Sequence, residues 1–79
     1  MKQKLDLIFP QGLIKEPVIY DMSRKVPVVF NIRRAKVTDT VGEIVLELEG
    51  SEPELANAKK WLQARGVKVE PVTHDTFES

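Results

Sequence analysis

The 79-residue sequence contains no cysteine. Disulfides, iron–sulfur clusters and thiolate zinc sites are therefore excluded on this chain, and its core must stand without covalent staples. Aromatic residues are scarce, at one Trp, one Tyr and three Phe, which leaves little for a surface that reads nucleotides by stacking. Net charge is absent too: 12 Lys and Arg balance 12 Asp and Glu, so no overall field draws the chain onto nucleic acid or an anionic membrane. No apolar run approaches the about 20 residues that a membrane-spanning helix needs. Lys2, Lys4 and Asp6 interrupt the first nine residues, where a secretory leader would be apolar. A cytoplasmic protein without membrane insertion is the expectation.

What the chain does contain is regular apolar spacing. Leu5, Leu7 and Phe9 alternate with Lys4, Asp6 and Ile8, the period-two pattern of a half-buried strand. Pro10, Gln11 and Gly12 end it. Pro17 suits the first position of a short helix whose apolar stripe is Val18, Ile19 and Met22, and Pro27 stops that helix near Lys25. Val28, Phe30 and Ile32 then form one face of a second strand, with Val29, Asn31 and Arg33 on the other. The phase slips afterwards, because Ala35 and Val37 are apolar where unbroken alternation would turn Arg34 and Lys36 inward; a bulge near Arg33 and Arg34 accounts for it. After the turn residues Thr38, Asp39 and Thr40, a third strand points Ile44, Leu46 and Leu48 one way and Glu43, Val45, Glu47 and Glu49 the other. Ser51 with Glu54 makes a capping box ahead of a helix over Glu52 to Arg65, carried by Leu55, Ala58 and Leu62. Gly66 ends that helix, and Val67, Val69 and Pro71 mark a last strand.

The order strand, helix, strand, strand, helix, strand predicts an α+β, ferredoxin-like βαββαβ fold: a four-stranded antiparallel sheet with two helices on one face. One domain over residues 1–73 and a C-terminal tail at 74–79 are expected. The uncovered sheet face would then carry Ile8, Val29, Asn31, Arg33 and Val45 with the carboxylates of Glu43 and Glu47.

The stretch Val29-Phe30-Asn31-Ile32-Arg33-Arg34-Ala35, followed by Gly42 to Gly50, resembles the NIL domain, a family named for an Asn-Ile-Leu motif. Leu5 to Pro10 and Trp61 to Val69 are similar to that family as well, so the likeness runs over nearly the whole chain. The resemblance implies a ferredoxin-like fold related to amino-acid-sensing ACT domains. It also implies a regulatory role, since NIL domains stand at the C-terminus of methionine-importer ATPase subunits, where they bind methionine, and ahead of iron–sulfur ferredoxin domains. The motif asparagine is implicated in ligand binding there, and the matching residue is Asn31. Arg33 stands where the motif has Leu, which would turn a thioether-friendly pocket toward a different amino-acid-like ligand.

The residues themselves support a binding reading over a catalytic one. The Asn31 amide offers a donor and an acceptor to an amino acid's carboxylate and ammonium, although a solvated or backbone-bonded asparagine is the plain alternative. Arg33 and Arg34 hold a carboxylate jointly only if a bulge turns them to one side. Trp61, beside Lys59, Lys60 and Leu62, reads as partial core. His74, the lone histidine, has no second ligand with which to hold a metal. No Ser/His/acid set, phosphate loop or paired-carboxylate pocket assembles, and Pro10-Gln11-Gly12 is not the Gly-rich anion loop of an acylphosphatase, so neither enzyme activity nor a cofactor is expected. Glu43 and Glu47 on the open face would repel RNA phosphates. The expected ligand site is Val29, Asn31, Ile32, Arg33 and Val45, with Asn31 bonding the polar end of an amino acid such as methionine. Ile8 and Val45, with Val29 beside them, suggest an apolar spot through which two copies pair as a homodimer. The alternative is a protein-interaction module that partners a ferredoxin, a transporter or an enzyme of sulfur amino-acid metabolism.

Overall fold

The computed structural model describes residues 1–72; the expected tail at 74–79, with His74, lies outside the described residues. Four strands and two helices follow the expected order: β1 (Lys2–Phe9), α1 (Val18–Lys25), β2 (Val29–Val37), β3 (Gly42–Glu49), α2 (Glu52–Ala64) and β4 (Lys68–Pro71), with a 3₁₀ turn at Gln11–Leu13. The strands form one antiparallel sheet in the order β2-β3-β1-β4, so β1 and β3 are central. This is the ferredoxin-like arrangement.

Local chemistry fixes the helix ends. Pro17 sits at the N-cap of α1, one position before the first helical residue where it was expected, with a non-helical ψ of 61°. Val26 leaves the helix in extended geometry, as the following Pro27 requires. At the start of α2 the capping box is complete: the Glu54 backbone N–H donates to Ser51 Oγ at 3.2 Å, and the Ser51 N–H donates to Glu54 Oε1 at 2.8 Å. Gly66 ends the α2 turn with φ at +103°, a conformation that only glycine adopts without strain.

Both helices pack on one face of the sheet. Leu5, Leu7 and Phe9 of β1 and Leu46 and Leu48 of β3 meet Val18 and Met22 of α1 and Leu55, Ala58 and Leu62 of α2 in a single core. Trp61 packs against its edge, as expected of a partial core residue. Arg65 ties the helices together over that edge: its guanidinium pairs with Glu16 at 3.3 Å and Asp21 at 3.5 Å and lies over the Trp61 ring at 5.0 Å.

Two expectations about burial need correction. Phe30 and Ile32 lie on the helix side of β2, but they remain 37% and 49% exposed and join no core. The core draws on β1, β3 and both helices, and no residue of the edge strand β2 belongs to it. Val45 stands on the opposite, open face and is only 3% exposed. At that exposure it offers no apolar spot to a second copy.

Candidate functional site

The edge strand β2 carries the residues singled out from sequence, and its register decides what they share. Val29 pairs with Glu49, Asn31 with Glu47 and Ile32 with Leu46, after which the next pair is Arg34 with Val45. Arg33 is thus the extra residue of a bulge, at the place where the phase slip predicts one. Val29, Asn31 and Val45 share the open face, whereas Ile32 points to the helix side. The five residues therefore do not converge on one pocket.

The bulge instead gathers charge on the open face. It turns Arg34 and Lys36 to that side while Ala35 and Val37 return to the helix side. One row across the sheet reads Glu70, Asp6, Val45, Arg34, and the next reads Lys68, Ile8, Glu43, Lys36. Arg34, Lys36, Glu43 and Val45 line a cavity of about 220 Å³. Asp6, in the same row as Val45, has its Oδ1 buried and, among the described residues, without a hydrogen-bond partner. Burial pushes its carboxyl up to about 6; a hydrogen bond with Glu43, the Glu43 charge and the Glu70 charge add to the rise, and Arg34 opposes it. Sequence reading did not single out Asp6, Lys36 or Glu70 as site residues, and it weighed Arg34 only together with Arg33, on condition of a bulge. The available signal was a charged residue between Leu5 and Leu7 on a central strand.

On the helix side, Phe9, Leu13, Ile14, Ile19, Val37 and Ile44 border an apolar groove of about 170 Å³ between α1 and β2. Gly42 forms part of its wall; a Cβ there would stand 3.1 Å from Phe9 Cβ. Among the described residues no group of three or more His, Cys, Asp or Glu is placed to hold a metal ion, and no helix is long and apolar enough to cross a membrane.

The family model for the NIL domain matches residues 3–71. The chain belongs to the NIL domain family. Among solved structures, this NIL domain is similar to the C-terminal domain of an ABC transporter ATP-binding protein from Enterococcus faecalis, at 22% identity over 92% of this chain and 86% of that one, with a TM-score of 0.81. That likeness establishes the shared fold. No curated protein matches the chain. The stretch Asn31-Ile32-Arg33, which resembles the family's name motif, has Arg33 as the bulged residue. That stretch therefore sits at the point where β2 changes register.

Proposed function

We propose that this NIL domain is a small regulatory module that binds an amino acid, methionine being the first candidate, and acts by binding without a catalytic step. The observation that carries the reading is Asn31, exposed in the middle of an edge strand beside a bulge, at the position that matches the family's motif asparagine. An asparagine is disfavoured in mid-strand unless its amide has work to do. The family resemblance adds the context of a cytoplasmic transporter ATPase.

Every residue of β2 is exposed. Val29 at 67% and Val37 at 57% join Phe30 and Ile32 on a strand whose outer backbone edge has no neighbour in the sheet among the described residues. Long exposed edges of this kind invite another strand. We therefore read β2, and not the Val45 region, as the surface on which a second copy pairs, which would bring two Asn31 side chains near one interface.

A panel of the twenty protein amino acids, scored by thermal melting, tests the function. A ligand at about 100 times its dissociation constant adds about 2.7 kcal/mol, equivalent to roughly 10–20 °C for a domain of this size. One amino acid should raise the melting temperature while the others leave it unchanged. If none does at 10 mM, the sensing reading fails. The same open edge would then favour a module that takes a strand from another protein, such as a ferredoxin or a transporter subunit.

A further inference from the structure

We propose that the groove between α1 and β2 docks an acidic amphipathic helix of a partner protein, which lays its apolar side on Ile19, Val37 and Ile44 and sets carboxylates against Arg24 and Lys25. The surface lies on the helix side of the sheet, away from the open face that carries Asn31, and its role stands whether or not the domain binds an amino acid.

The first observation is the apolar opening itself. The groove holds about 170 Å³, and Glu16 is the only charged residue that lines it among the described residues. Val37, one of its walls, shares its side of β2 with Phe30, Ile32 and Ala35, all of them exposed. A sheet face is ordinarily buried against a second layer, yet β2 contributes none of its residues to the core. An amphipathic helix fills such a groove through apolar side chains spaced i, i+3, i+4 and i+7.

The second observation is the charge at the rim, and it chooses the occupant. Tyr20 lines the groove, and the Arg24 guanidinium stands 5.8 Å from the centre of its ring, so a cation sits at the groove's edge. Lys25 follows, and both cations also border a cleft of about 400 Å³ on the α2 flank of α1, with Asp21, Trp61 and Arg65. The carboxylates of this region are already engaged: Glu16 and Asp21 both pair with Arg65, at 3.3 and 3.5 Å. Arg24 donates to the Tyr20 hydroxyl at 3.5 Å, and among the described residues neither it nor Lys25 pairs with a carboxylate. Cations in a last helical turn offset the helix dipole, but they still lack a counter-charge, which a partner's carboxylates supply.

At the other end of the groove, Ile14 and Val37 lead into a hollow bordered by both Lys15 and Asp39. The surplus positive charge therefore lies at the C-terminal end of α1. An apolar floor with cations at one end accepts an acidic helix and opposes a basic one, because like charges brought together at an interface are costly.

Nitrogen-15 NMR titration of the whole chain, with no amino acid present, tests this with two synthetic helical peptides of about sixteen residues. Both carry leucine along one face; one has glutamate on the other face and the second has lysine there. The glutamate peptide should bind with a dissociation constant below about 1 mM and at least about tenfold more tightly than the lysine peptide, with the largest shifts at the amides of Ile19, Val37 and Ile44. Ile19→Ser should weaken it, and the double variant Arg24→Glu, Lys25→Glu, whose changes are confined to exposed side chains, should reverse the preference between the peptides; melting curves verify that both variants fold. Failure of the glutamate peptide to bind, equal binding of the two peptides, or shifts confined to the open face would overturn the proposal. So would a dimer of native protein that Arg24→Glu, Lys25→Glu turns into a monomer, since the occupant would then be a second copy. None of these variants touches Asn31, so the result leaves the sensing reading to its own test.

Discussion

Asp6 links the stability of the domain to pH through a position that looks ordinary in the sequence. Its carboxyl is raised from 3.8 to about 6, first by burial and then by Glu43 and Glu70, so the folded state favours the protonated form. The stability this contributes is complete below the ordinary value and is lost as pH rises through about 6. Asp6→Asn removes the loss: at pH 7.5 the variant should melt higher than native by about 1 kcal/mol, a value reduced for solvent screening at a partly exposed group, and the advantage should vanish toward pH 4. Melting curves at both pH values measure it. Gly66 offers a second single-residue case. With φ at +103°, Gly66→Ala should destabilise by about 1–2 kcal/mol, seen as a lower urea midpoint with an unchanged slope. That role was legible, because glycine after an apolar helical stripe is a stop signal. The character of Asp6 was not, since its partners Glu43 and Glu70 lie far along the chain and only the strand register brings them together.

At the scale of elements, local signals located almost every boundary. The Ser51 and Glu54 pair marked the start of α2, and the capping geometry is present in full. Ser51→Ala should cost about 1 kcal/mol, and Glu54→Ala should cost less than that again when added to it, because the two residues form one reciprocal unit; a double-mutant cycle by urea denaturation checks this. The phase slip between Ile32 and Ala35 placed the bulge correctly, for a change of apolar parity in one strand has few other causes. The exposure of β2 was not legible. Alternation tells which way Phe30 and Ile32 point, but not that they stay outside the core, which depends on how two helices spread over four strands. The same limit applies to Val45: its parity puts it on the open face, and alternation alone does not tell that it is buried there.

For the whole molecule, an edge strand with exposed Val29, Phe30, Ile32 and Val37 is the surface on which the proposed pairing of two copies is tested. Sedimentation at tens of micromolar should find a dimer for native protein and a monomer for Ile32→Lys, while Val45→Thr should stay dimeric because Val45 lies buried on the opposite face. The fold and family could be read from the chain because apolar periodicity and the motif stretch run through nearly all of it. The site could be read only in part: Asn31 was visible as a residue out of place in a strand, whereas the cavity beside Asp6 exists only once β1, β2 and β3 are in register. The central claim, that an amino acid binds against β2 through Asn31, is tested most directly by calorimetry on native and Asn31→Ala protein with methionine and the other protein amino acids. The expected result is binding of one amino acid to native protein, weakened about 10- to 150-fold in a normally folded Asn31→Ala variant. Failure of every amino acid to bind native protein below about 1 mM, a free energy weaker than about −4.1 kcal/mol, or equal binding to both proteins, would contradict it.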